Sequence, residues 1–186
     1  MKLQKQLEKA DGVMKIVNGN LKIFISKEEE LEKLNQIFQE ESKYFMKIEG
    51  EIGPSPDICF AEGWYPINKS KNDFMMLSCY KEETLIGWIT LIKEYPKNDI
   101  VYISHFSIVD VEKHKGYGHK IIDMLCCYLK KEKIFNKVRI LVSLKNWNGI
   151  RFWHKCGFNH ITCTPYNVSY SEETFASIEL EKSLSN

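Results

Sequence analysis

The chain has 186 residues, with 26 Lys and Arg against 25 Asp and Glu and a net charge of +1. That length holds one ordinary domain and leaves no room for a second of similar size. Hydrophobic residues at 44% and charged residues at 27% exclude a disordered or low-complexity polymer, and the balanced charge excludes the basic excess of a non-specific nucleic-acid binder.

Residues 1–20 are polar and read as a peripheral extension, leaving residues 21–186 as a single domain. The opening MKLQKQLEKADG lacks the apolar stretch of a signal peptide, and no apolar run reaches the roughly 20 residues that cross a bilayer. The expectation is a cytoplasmic chain with neither a membrane nor nucleic acid as partner. Leu21–Ile25 is a short apolar run and predicts a strand. Ser26 and Glu29 stand at capping-box spacing, and Leu31, Leu34, Phe38 and Phe45 follow at helical spacing, predicting a helix to about residue 48. Residues 49–72 carry Gly50, Gly53, Pro54, Pro56, Gly63 and Pro66, a loop with one short helix over Pro56–Ala61. Phe74–Tyr80, Leu85–Ile92 and Ile100–Val109 are apolar or aromatic runs joined by short polar connectors, predicting an antiparallel meander. A helix around Ile121, Leu125 and Leu129 follows, then a strand over Val138–Ser143 and a helix over 147–156 stopped by Gly157. Strands over Phe158–Cys163 and Ala176–Leu184 close the order. The six cysteines show no CxxC spacing, so they read as buried reduced thiols and no metal is expected.

The chemistry gathers at Ile108–Ile122, where a strand ends, a charged turn follows, and Gly116-x-Gly118 opens an amphipathic helix. The free N–H groups at a helix start carry partial positive charge and hold anions. Glycine there brings backbone close to a bulky phosphate, and His114, Lys115, His119 and Lys120 add donors. A dinucleotide fingerprint would need a third glycine where this chain has Ile121, and a P-loop would need Gly-Lys-Ser/Thr, which is absent. Taken alone, Gly-x-Gly also fits a plain strand-to-helix turn.

Two spaced segments sharpen the reading. Lys113-x-x-Gly116-x-Gly118 resembles the Gln/Arg-x-x-Gly-x-Gly/Ala signature of the GNAT superfamily of N-acetyltransferases. Asn146-Trp-Asn-Gly-Ile-Arg-Phe-Trp-His-Lys-Cys-Gly-Phe158 resembles that family's second signature, with one helix and one strand between the two. The resemblance is specific over about residues 74–160. It implies an α/β (α+β) fold: a mixed, mostly antiparallel sheet of about seven strands flanked by about four helices. It implies acetyl-CoA (coenzyme A) as cosubstrate and an amine, small-molecule or protein, as acceptor. The pyrophosphate would lie on the amides of His114, Lys115, Gly116, Tyr117, Gly118 and His119. The pantetheine arm would run beside Phe106, Ser107 and Ile108, with Asn146 bonding it. Relatives that pair do so through C-terminal strands, which points to 158–184 for any homodimer.

The chain departs from the pattern at three places. Lys113 replaces Gln or Arg and lacks the planar fork of a guanidinium; Gly149 replaces Ala; Trp153 stands where many members have a tyrosine acid. An indole N–H donates a hydrogen bond but is no proton-transfer acid near neutral pH. Trp153 is therefore expected to pack against the cofactor or within the core, and water or another tyrosine to supply the proton. For the base, the strand before the glycine turn offers Tyr102, Ser104 and His105, with His105 the suitable titrating group. Strict alternation would put Tyr102 and Ser104 on one face and His105 on the other. Glu62 and Glu94 are alternative bases, and Glu49, Glu51, Asp57, Glu62, Trp64 and Tyr65 are the residues of the expected acceptor loop. The rival to an active N-acetyltransferase is a degenerate member that binds CoA as a sensor or interaction module.

Overall fold

The computed structural model describes residues 15–132, 135–163 and 171–184. Its strands are β1 (Lys15–Asn18), β2 (Leu21–Ile25), β3 (Phe74–Lys81), β4 (Thr84–Lys93), β5 (Ile100–Ile108), β6 (Lys137–Ser143), β7 (His160–Cys163) and β8 (Ser177–Ser183). The helices are α1 (Leu31–Glu49), α2 (Pro56–Ala61), α3 (Tyr117–Glu132) and α4 (Trp147–Lys155), with short 3-10 turns at Glu28–Glu30, Lys71–Asp73 and Asp110–Glu112. One eight-stranded sheet runs β1-β2-β3-β4-β5-β6-β8-β7. Every neighbouring pair is antiparallel except β5 and β6, which are joined through α3 by a crossover.

The meander of β3, β4 and β5 forms as its apolar runs predict. β3 and β4 are buried almost throughout because both faces of the sheet are covered. One face packs under α1 and α2, around Leu34, Ile37, Cys59, Phe74, Met76, Trp88 and Ile92. The opposite face packs under α3 and α4, around Leu77, Ile86, Ile89, Ile121, Leu125, Leu129, Trp153 and Phe158. The sheet therefore separates two cores, and anything on β5 faces one or the other.

Three expectations are corrected. Lys15–Asn18 from the polar extension pairs with β2 as an edge strand, making eight strands rather than seven; residues 1–14 lie outside the described residues. The start of α1 is not capped by Ser26 and Glu29. Glu30 accepts from the Lys27 backbone N–H at 2.7 Å, and the Ser26 hydroxyl instead meets the Ser78 hydroxyl at 2.8 Å. Not all the thiols are buried: Cys59, Cys79, Cys126 and Cys156 are, while Cys127 and Cys163 are exposed, and all six are free.

Burial pushes the Cys59, Cys126 and Cys156 thiols up to about 12, and Cys79 is raised by the same cause. The thiolate is the reactive form. At pH 8 an aromatic disulfide reagent should label Cys127 and Cys163 in the native chain and reach the other four only on unfolding. Rapid labelling of all six would contradict this burial.

Glu30 is buried where α1 meets β3. It accepts from the Ser78 hydroxyl at 2.7 Å and from the Tyr80 hydroxyl, besides the Lys27 amide. Glu30→Ala leaves these donors unmatched inside the fold and should cost about 3 kcal/mol. For a chain of this size that lowers Tm by about 10 °C, measured by thermal unfolding. An unchanged midpoint would show that this network is dispensable.

Candidate functional site

β5 and β6 start side by side and then part. Their pairing runs from Ile100 opposite Lys137 to Ile103 opposite Ile140. β5 continues to Ile108 and β6 to Ser143, and over this stretch β6 pairs only with β8 on its far side. The cause is local. Thr90 on β4 faces His105, while its neighbour Leu91 faces Ile103, so Ser104 is an extra residue in β5. Such a β-bulge bends its strand and increases its twist. The bend falls where the pairing to β6 stops. The result is a wedge inside the sheet, with strand edges able to pair with an extended guest.

The turn Val109–Gly116 lies beyond the end of β5. Among the described residues, no backbone N–H from His114 to His119 donates to a backbone carbonyl; the α3 ladder begins with Lys120 bonding Gly116 at 3.2 Å. These are orphan donors at a helix N-terminus, disposed for an anion. The two glycines serve different ends. Gly116 has φ +81°, and a Cβ there would meet nothing within 4 Å. Gly118 is a packing glycine, since its Cβ would come 3.2 Å from Phe152 and 3.6 Å from Phe106. His114 also takes a left-handed conformation, φ 62°.

The turn's cations are partly committed. Lys113 pairs with Asp110 at 2.6 Å, and Lys115 and Lys81 pair with Glu112 at 3.1 and 3.2 Å. The Lys115 ammonium, with Lys81 adding, holds the Glu112 carboxyl below its usual range. His119 staples α3 to α4: Nδ1 lies 3.1 Å from Asp123, and Nε2 lies 2.9 Å from the Lys155 carbonyl.

Beneath the wedge is an aromatic floor. Phe106 stacks on Phe152 at 5.7 Å and 23°, and Trp153 meets Phe106, Phe152 and Phe158 at 5.9, 5.0 and 5.0 Å. Trp153 is buried and serves as a packing group. Asn146 caps α4, its Oδ1 accepting from the Gly149 N–H at 2.8 Å. The same oxygen accepts from the Tyr44 hydroxyl at 2.8 Å. A Cβ at position 149 would come 2.5 Å from the Asn146 amide, so the glycine that replaces the expected alanine accommodates this cap.

The C-terminal half of α1 roofs the wedge. Tyr44 reaches Asn146, the Ile48 carbonyl accepts from the Ser143 hydroxyl at the end of β6, and Glu41 and Phe45 lie over His105. The expected alternation on β5 is overturned by the bulge. Tyr102, Ser104 and His105 all face α1: Tyr102 joins the α1-side core, the Ser104 hydroxyl meets the Thr90 hydroxyl at 2.8 Å, and His105 lies against Trp88. Phe106 faces the opposite core, and Ser107 and Ile108 are buried at the strand end. Tyr102 packs edge-on to Tyr95 at 5.3 Å.

His105 sits in a closed setting. Its ring is 4.1 Å from Trp88, tilted 34°, and 5.6 Å from Phe45. Its Nε2 lies 3.1 Å from Glu41 Oε1, a contact of ion-pair length without hydrogen-bond alignment. Trp88 Nε1 and Ser107 Oγ are likewise buried without a hydrogen-bond partner. Burial holds the Glu49 carboxyl above its usual range, with His105 opposing and Glu51 adding. The carboxylates near His105 are thus Glu41 and Glu49. The expected alternatives stand elsewhere: Glu62 is exposed at the end of α2, and Glu94 is exposed at the β4–β5 turn.

The residues that composition and spacing did not single out are Glu41, Tyr44 and Trp88. Glu41 carried a readable signal, a carboxylate on the buried stripe Leu34, Ile37, Glu41, Ile48. Among the described residues, no helix is long and apolar enough to cross a membrane.

The sequence model of the Acetyltransferase (GNAT) family matches residues 32–158. No curated protein matches the chain. Among solved structures, similarity extends to an acetyl transferase of Salmonella typhimurium that modifies the N-terminal serine of ribosomal protein L7/L12. That pair has TM-score 0.70 and 10% identity, covering 91% of this chain and 98% of the other. An acetyltransferase from Thermus thermophilus gives 0.68 at 13% identity, covering 91% and 99%. Spermidine N-acetyltransferase from Vibrio cholerae, solved with CoA and spermine, gives 0.65 at 13% identity, covering 90% and 97%. At these identities the structural likeness establishes the shared fold.

Proposed function

This chain belongs to the Acetyltransferase (GNAT) family, and from that premise we propose that it transfers an acetyl group from acetyl-CoA to a primary amine by direct attack. The observation that carries the reading is the parting of β5 and β6 beside a run of unpaired amides. The amides of His114, Lys115, Gly116, Tyr117, Gly118 and His119 hold the pyrophosphate. The backbone of Phe106, Ser107 and Ile108 pairs with the amides of the pantetheine arm, as an added strand would, and Asn146 bonds the same arm.

His105 removes a proton from the bound ammonium, and the freed nitrogen lone pair attacks the thioester carbonyl carbon. A β5 backbone N–H in the wedge stabilises the resulting oxyanion, a contribution worth about 3 kcal/mol per donor. As the carbonyl re-forms, the C–S bond breaks and its electrons leave on sulfur. A thiol titrates near 8.5, so thiolate departs without a dedicated acid; the attacking nitrogen sheds its second proton as the amide forms, and the thiolate takes up a proton through water. This fits Trp153 as a packing residue. The balance is amine cation plus acetyl-CoA giving acetylamine, CoA thiol and one proton, with no covalent enzyme intermediate.

One structural neighbour acts on a protein N-terminus and another on spermidine, which supports a primary amine as the shared acceptor chemistry. A free-thiol assay across amino acids, peptides with free N-termini, polyamines and amine antibiotics tests the reading. Thiol release that requires an amine, matched by acetylamine on mass spectrometry, is expected. The packing role of Trp153 also suits a CoA-binding module without turnover. Tight CoA binding with no amine-dependent release across the panel would transfer the conclusion to that module.

A further inference from the structure

We propose that Glu41 is a positioning residue for His105: it holds the imidazole proton on Nε2, leaving Nδ1 as the atom that accepts the proton of the amine. This rests on the reading of His105 as base. A ring nitrogen 3.1 Å from a carboxylate oxygen is the protonated one, because two lone pairs at that distance repel. In a neutral imidazole only one nitrogen carries hydrogen, so the other has the free lone pair.

The surroundings restrict the ring to this arrangement. Glu41 comes from the buried stripe of α1 and its side chain is 5% exposed; His105 is 17% exposed. Trp88 lies across the ring from the sheet side and Phe45 approaches from α1, which limits ring motion between two aromatic walls. Besides Glu41, the acidic group whose charge interacts with His105 is Glu49, also from α1; Ser104, Thr90 and Tyr102 supply neutral polar groups on the same side of the sheet. Neither Glu41 Oε1 nor His105 Nε2 has a hydrogen-bond partner in the present arrangement. A small rotation of the ring is the local motion that satisfies both at once. After proton transfer the imidazolium lies 3.1 Å from the Glu41 carboxylate, so the charge it gains has a partner already in place.

Two measurements test this. In protein labelled with 15N-histidine, at a pH where the imidazole is neutral, the His105 shifts should show pyrrole-type Nε2 and pyridine-type Nδ1. The reverse assignment would overturn the proposal, and it needs no variant. Second, Glu41→Leu should lower kcat about 100-fold with the Kd for acetyl-CoA unchanged. In a His105→Gln background the same change should cost less than twofold, because Glu41 acts through His105. A Glu41 loss that persists undiminished in that background would overturn the proposal. If His105→Gln alone left kcat unaltered, the base assignment itself would fail, a result distinct from either of these.

Discussion

Gly116→Asp should abolish acetyl-CoA binding at working concentrations while Gly116→Asn does not. Position 116 has φ +81°, and a Cβ there points into open space. Aspartate and asparagine are the L-residues that enter this left-handed region most readily, so both variants should fold. They are nearly isosteric and differ in charge. A carboxylate about 5 Å from a bound pyrophosphate, at an effective dielectric of about 20, costs about 3 kcal/mol per charge pair. That corresponds to an affinity loss of about 100-fold or more. Calorimetry should find the asparagine variant within about tenfold of wild type. Equal affinities for the two variants would mean that no anion rests on the His114–His119 amides. Gly118 is a poorer probe, because a side chain there strikes Phe152 and Phe106 and disturbs the floor along with the cradle.

His105→Gln should lower kcat by about 10²- to 10⁴-fold, the usual worth of a positioned proton acceptor. Glutamine fills similar space beside Trp88 and still offers a donor to Glu41, so the fold should hold. The Kd for acetyl-CoA should stay within about twofold, because the His105 side chain faces α1 while the turn and the aromatic floor lie elsewhere in the wedge. Stopped turnover with intact CoA binding separates a role in proton transfer from a role in the fold. A wild-type kcat would move the base to another residue.

The way these residues come together explains what could be read from the chain beforehand. The meander was legible because Phe74–Lys81 and Thr84–Lys93 are long apolar runs with short polar connectors, a pattern that admits few other structures. The turn that opens α3 is legible because a glycine-containing strand-to-helix turn is built from local chain, and the sequence displays it whole. Edge strand β1 was not, since Lys15–Asn18 lies largely in solvent and shows no apolar alternation. The α1 cap is hidden in the sequence for a comparable reason. Glu28, Glu29 and Glu30 stand in a row, and which of them closes the turn is decided by Ser78 and Tyr80, some fifty residues away.

The bulge matters most for function. Nothing in Tyr102-Ile-Ser-His105 marks Ser104 as the extra residue, because register depends on the hydrogen bonds of β4. That single extra residue turns His105 onto the α1 face and ends the pairing with β6. It thus brings the imidazole under Glu41 and opens the wedge in one step. The pairing of Glu41 with His105 needs tertiary contact, although a carboxylate on an otherwise apolar helical stripe was a visible hint.

Crystals grown with acetyl-CoA offer the most direct measurement. The pyrophosphate should lie within hydrogen-bond distance of the backbone amides of residues 114–119. The pantetheine arm should run between Ser104–Ile108 and Leu141–Ser143, its thioester turned toward the side of the sheet that carries His105. Density for the molecule outside this gap, with β5 and β6 still parted and empty between them, would contradict the assignment of the wedge as the acetyl-donor site.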